Sequence, residues 1–226
     1  MSLILDSTSL FSLESYAHAS LFTGCQFPWE ALVRLKDYIR SLELGKIEIA
    51  ISSGVHLIQP ELISIGEGTV IEPGAYIQGP CFIGKNCVVR HGAYLRGDIV
   101  TGDSCVIGHD TEIKHSILFN EVSAAHFNYV GDSILGNGCN LGAGVKCANF
   151  RLDKRAIWIR ILEEKIETGL RKLGAIVGDG AQVGCNSVIN PGTILGRNSF
   201  CFPCLNIEGY IPEGGKVKPA MKTIVE

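Results

Sequence analysis

The sequence has no surplus of positive charge, no long apolar run, few prolines and no paired metal-binding cysteine motif. Twenty Lys and Arg stand against 23 Asp and Glu, a net charge of −3. Nucleic acids and membrane surfaces normally demand a basic stripe, so neither is an expected partner. Nothing approaches about 18 consecutive apolar residues, and no basic flank leads into an apolar N-terminal segment. A membrane span and a signal peptide are therefore not expected, and the cytoplasm is the expected location. Cys201-Phe-Pro-Cys204 has no second pair at zinc spacing. Nine cysteines, an odd number, fit reduced thiols better than a disulfide framework. No Gly-Lys-Ser/Thr occurs, and Leu141-Gly-Ala-Gly144 opens no helix, which argues against a phosphate-cradling nucleotide loop there.

Against only 8 prolines there are 27 glycines, without collagen or linker periodicity, so they are expected to serve many tight turns. A six-residue beat explains them. Ile65, Ile71, Ile77, Ile83, Val89, Leu95, Thr101, Ile107 and Ile113 recur in register; after a slip come Leu118, Ala124 and Val130, and after another Leu135 and Leu141. The beat returns at Val177, Val183, Ile189, Leu195, Cys201 and Ile207. This period is neither helical nor that of an alternating strand; it is the signature of a parallel β-helix, in which three hexads close one triangular coil of about 18 residues and the beats point inward. Cys81, Cys87, Cys105 and Cys139 fall four residues after a beat and Cys201 on one, so they are expected to act as small core hydrophobes.

Three segments frame the repeat. Residues 1–53 are expected to form an irregular or partly strand-forming arm, then an amphipathic helix over about 28–43, opened by Pro28 and striped by Trp29, Leu32, Leu35, Ile39 and Leu42. Such a helix suits capping of the unpaired solenoid end. The β-helix is expected over 54–212, interrupted over 148–174, with a tail over 213–226. Within the interruption Ile157, Ile159 and Ile161 alternate with Trp158 and Arg160, which predicts a β-hairpin. Left projecting, those aliphatics would need a neighbouring subunit to cover them. Arg171 and Lys172 are read as solvated charges at its foot.

His91, His109 and His115 each stand two residues after a beat, and the first two, one coil apart, should stack. With Arg96-Gly97-Asp98 they are similar to the zinc histidines of trimeric β-helical carbonic anhydrases. The expected His-x4-His pair is missing, so no metal is predicted.

Arg90-His-Gly-Ala, Thr111-Glu-Ile-Lys114, His126-Phe-Asn-Tyr129-Val-Gly-Asp and Asn140-Leu-Gly-Ala-Gly form a more specific series. It resembles the acetyltransferase half of bifunctional N-acetylglucosamine-1-phosphate uridyltransferases over residues 65–212, and the arm and insertion resemble sugar-1-phosphate nucleotidyltransferase-like proteins. The resemblance implies a left-handed coil, a homotrimer with sites between subunits, acetyl-CoA as co-substrate, and an amino-sugar phosphate such as glucosamine 1-phosphate as acceptor. It implies His126 as general base, Arg90 and Lys114 on the sugar phosphate, and Tyr129, Asn140 and Asn149 on the substrate. Ala143, Cys185 and Phe202 align with acetyl-CoA contacts. The nucleotidyltransferase domain itself has no counterpart here. The family's Cys-Asn-Tyr stands as Ala148-Asn149-Phe150, and its paired lysines as Lys114-His115. A second reading is therefore a catalytically silent trimer that partners a separate nucleotidyltransferase chain.

Overall fold

The computed structural model describes residues 5–161 and 164–220. Among them, short strands form three parallel sheets of eight strands each, stacked as the faces of a left-handed triangular prism. Sheet A runs from Ile63–Ile65 to Tyr210–Ile211, sheet B from His56–Ile58 to Asn206–Ile207, and sheet C from Val70–Ile71 to Lys216–Val217. The chain visits the sheets in turn, so each strand pairs with the one a coil away. Cys81 pairs with Ile99 one full coil on, whereas Ile117 pairs with Ile134 after a coil shortened by one residue, as the slipped beat requires. Asn140 pairs with Gln182 across the interruption.

The beats are the core. Ile65, Ile83, Leu95, Ile107, Leu118, Leu135, Val177 and Leu195 are buried in one column with Cys81, Cys87, Cys105, Cys139 and Cys201. Thr101 is the polar member of the beat; its hydroxyl accepts from Gly84 N (3.0 Å) and donates to Gly102 O (3.0 Å), so it is not left unpaired. Corner turns take left-handed backbone at Asn86, Asn186 and Asn198 (φ 53°, 57° and 53°), where a short side chain tolerates it.

A second core lies outside sheet A. Its outward residues Val100, Ile117, Ile134, Ile176 and Ile194 are buried beneath Leu10, Phe11, Tyr16, Leu21, Phe22 and helix α2 (Glu30–Ser41), which presents Leu32, Leu35 and Ile39. Phe119 stacks against both Phe11 (4.7 Å) and Tyr16 (4.0 Å). Polar clasps fix this layer: Asp179 accepts from Ser12 N (2.7 Å), and Arg197 donates to Thr8 O (3.0 Å).

Four expectations need correction. Residues 5–27 hold no strand; they contain helix α1 (Ser7–Leu10) and a 3-10 turn, Ala19–Phe22. Helix α2 covers the flank of the prism rather than its end, because the apolar surface to be buried is the outside of sheet A. The interruption does form a hairpin, Trp158–Ile161 with Glu164–Glu167, but Ile157, Ile159 and Ile161 are buried against the chain's own sheet A, with no neighbouring subunit required. The solenoid also continues past 212, since Lys216–Val217 pairs with Phe200–Cys201; residues 221–226 of the expected tail lie outside the described residues. No helix is long and apolar enough to cross a membrane among the described residues.

The flank carries a buried histidine. His18 is buried, shares a 2.9 Å hydrogen bond with Tyr38 Oη and packs edge-on against Phe82 (4.6 Å), while its Nε2 has no partner. Burial drives its pKa down from 6.5 to about 4. A depressed imidazole favours the folded state above the unfolded value and withdraws that support as pH falls from about 6.5 through about 4. Urea titrations across that window should show a loss on the order of 3 kcal/mol, and His18→Phe should flatten it; an unchanged slope in the variant would assign the loss elsewhere.

Candidate active site

Sheet B displays Tyr76, Tyr94, Glu112 and Tyr129 in one outward column. Beside it, Lys114 ends the strand Glu112–Lys114, and its ammonium lies 2.9 Å from Asp132 Oδ2, both side chains largely buried (18% and 10% exposed). Asn149 Nδ2 donates to that same oxygen. Asp132 reaches both groups because it turns the corner in left-handed backbone (φ 48°), its N–H bonded to Lys114 O (3.1 Å). One coil earlier Arg96 pairs with Glu112 at 2.6 Å. The phenol of Tyr129 is held above its usual pKa chiefly by burial, with Glu112 and Asp132 adding, and so stays protonated. Lys114, Tyr129 and Asn149 are thus brought together, with one further cation, Arg96, and two carboxylates, Glu112 and Asp132, around them.

Gly131 keeps this floor open. A Cβ there would stand 2.6 Å from Tyr129 Oη and 2.7 Å from Asn149 Nδ2. Gly131→Ala should therefore displace both side chains and destabilise the fold by about 1–3 kcal/mol. Thermal melts check this; an unshifted melting temperature would mean that the pocket is slack.

His126 stands at the corner between sheets C and B. Backbone bonds link His91, His109, His126, Ala143 and Cys185 coil by coil: Phe127 N to His109 O (2.8 Å), Gly144 N to His126 O (3.0 Å), Asn186 N to Ala143 O (2.8 Å). His126, Ala143 and Cys185 therefore stack up one edge, at about 4.8 Å per coil. The His91 and His109 rings stack at 6.0 Å, as their spacing predicts, and His109 Nε2 lies 3.2 Å from Asp110. The His126 imidazole is exposed and makes no hydrogen bond to the described residues. Its turn is held from beneath by Asn128, which is buried, accepts from His126 N (3.3 Å) and donates to Gly142 O (2.7 Å). His115 faces Asp98 (3.8 Å) at another corner. No three His, Cys, Asp or Glu side chains converge as a metal-holding group among the described residues.

The other expected residues lie on sheet C. Asn140 sits between Ser123 and Gln182. Arg90 extends a sheet C strand, its N–H bonded to Ile107 O (2.8 Å), and so stands a face away from Lys114 in the same chain. Phe202 packs against Phe200 (5.2 Å), with Lys218 over its ring (5.5 Å). Sequence reasoning missed Arg96, Glu112, Asp132 and Asn128. For Arg96 the signal was present, one coil before Lys114.

The family described as "GMPPB C-terminal domain" matches residues 77–195, more than half of the chain. The chain belongs to that family. It is 35% identical over 181 residues to a putative uncharacterized acetyltransferase, YaiX, of Escherichia coli K12, covering 80% of this chain and 78% of that protein. It is also 32% identical over 173 residues to the bifunctional protein GlmU of Methanococcus aeolicus, covering 76% of this chain but 41% of that relative. The chain thus spans about two fifths of the length of such bifunctional relatives. In structure it resembles a UDP-N-acetylglucosamine acyltransferase of Francisella novicida (TM-score 0.54, 14% identity, 76% of this chain and 68% of that one), a likeness of fold.

Proposed function

We propose that the protein transfers an acetyl group from acetyl-CoA to the amine of an amino-sugar phosphate, glucosamine 1-phosphate being the simplest acceptor. The observation that carries this reading is the exposed His126 imidazole, free of hydrogen bonds to the described residues on a turn braced by Asn128, stacked in one edge with Ala143 and Cys185. The acceptor nitrogen attacks the thioester carbonyl, the N–C bond forms, and His126 takes the nitrogen's proton. The C–S bond then breaks and the proton passes to the departing thiolate of CoA. Lys114, with Asn149 and Tyr129 beside it, supplies donors for the sugar phosphate; Ala143, Cys185 and Phe202 lie toward the donor. The names of the relatives, an acetyltransferase and bifunctional GlmU proteins, support the same chemistry.

A homotrimer fits the dispersal of these residues. Sheet A is covered by the chain's own N-terminal layer and hairpin, which leaves sheets B and C to meet other subunits. Arg90, Asn140 and Phe202 on sheet C of one subunit would then approach Lys114, Tyr129 and Asn149 on sheet B of the next. Light scattering at micromolar concentration should return three times the chain mass; a monomer would remove the shared site. Thiol release from acetyl-CoA, read against a panel of amino-sugar phosphates, tests the activity. Absence of turnover with retained trimer assembly would favour the second reading, a silent partner of a nucleotidyltransferase chain, for which the half-exposed Phe150 in place of a phenol speaks.

A further inference from the structure

Between the insertion and the coils that follow it lies an open groove of about 930 Å³, lined among others by Phe150, Trp158, Arg160, Lys165, Asn190 and Glu208. The hairpin builds one wall. Ile159 and Ile161 turn inward, so Trp158 and Arg160 face out. Arg160 stands directly opposite Lys165 in the antiparallel register, and Lys165 Nζ lies 4.4 Å from the centre of the Trp158 ring. Like charges directly opposed on one face of a strand pair destabilise it, unless an anion sits between them. On that outward face Arg160 and Lys165 form a cationic pair, with Glu167 opposite Trp158, beside two aromatic side chains, Phe150 and Trp158, that are 39% and 38% exposed. Ala148 and Phe150, which line the groove, are the chain neighbours of Asn149 in the site already described.

Planar aromatic surface, paired cations, and an amide and a carboxylate able to meet hydroxyls match one ligand chemistry. We propose that this groove binds a nucleoside diphosphate: the base stacks on Trp158 or Phe150, the diphosphate lies on Arg160 and Lys165, and Asn190 and Glu208 take ribose hydroxyls. Resting on the acetyl-transfer reading, this makes the acceptor a nucleotide-linked amino sugar, its sugar end toward Lys114 and Tyr129. The same chemistry exists in the nucleotide end of CoA, so the test must separate the two sources.

The chain has two tryptophans, and Trp29 is buried (3% exposed), so quenching by added nucleotide reports Trp158. Titration of the full chain with UDP, GDP and ADP should give saturable quenching with at least one of them below millimolar concentration, unchanged by saturating CoA. Arg160→Glu should weaken that binding at least tenfold while raising the melting temperature, since it replaces a repulsive cross-strand pair by an attractive one. A variant that merely misfolds would lower both. No saturable quenching with any of the three at millimolar concentration, equal affinity in Arg160→Glu, or competitive displacement by CoA would each overturn the proposal. The readout needs no turnover, so it stands apart from success or failure of the acetyl-transfer assay.

Discussion

His126→Ala should lower kcat for acetyl transfer by about 10²–10⁴-fold, the usual range for loss of a positioned general base. The Michaelis constant for acetyl-CoA should change little, because Ala143 and Cys185 stand on later coils and keep their backbone bonds. Stability should change little too, since the imidazole is exposed and makes no hydrogen bond to the described residues, its ring neighbour being the exposed Phe127 at 5.9 Å. Added imidazole should restore part of the lost rate, which a purely structural role would not allow. Full activity in the variant would make His126 another turn histidine, like His91 and His109 below it in the same edge.

Asp132→Ala should be the most damaging change on sheet B. Its carboxylate holds both the Lys114 ammonium and the Asn149 amide, and its backbone carbonyl accepts from Gly174 N (2.7 Å), where the insertion ends. Removing the carboxylate strands a largely buried ammonium. Breaking a fully buried pair costs about 3–5 kcal/mol, and the residual exposure here reduces that to about 2–3 kcal/mol. The melting temperature should fall by roughly 5–10 °C, and the Michaelis constant for the acceptor should rise far more than that for acetyl-CoA. Asp132→Asn, which keeps an acceptor oxygen, should lose less on both counts. A melting temperature within about 1 °C of the parent would mean that the pair contributes no more than an exposed salt bridge.

The prism was legible because its inward residues repeat every six positions, and even the slips before Leu118 and Leu135 reappear as shortened coils. The flank was not legible for a physical reason. Val100, Ile117, Ile134, Ile176 and Ile194 point out of sheet A and recur only once per coil, so they hide beneath the stronger six-residue signal. Their covers are remote in sequence: Leu10 O accepts from Asp179 N, and Ile157 packs at Gly192. The hairpin's aliphatics were correctly read as needing burial, but its partner surface belonged to the same chain.

The candidate site divides in the same way. His126, Tyr129, Asn140 and Asn149 were visible as a motif, yet a motif does not say which face each residue occupies. Stepping one coil back from Lys114 leads to Arg96 on sheet B, whereas Arg90 emerges on sheet C. Asp132 was part of the quoted run but carried no role, because its reach to Lys114 depends on a left-handed corner that sequence does not display.

Mass spectrometry of the acceptor after incubation with acetyl-CoA tests the central claim most directly. Amino-sugar phosphates with and without an attached nucleotide should gain one acetyl group on nitrogen in the presence of the wild-type protein, and markedly less with His126→Ala. No acetylated product from any acceptor, or equal product from both proteins, would contradict assignment of this edge of the β-helix to acetyl transfer.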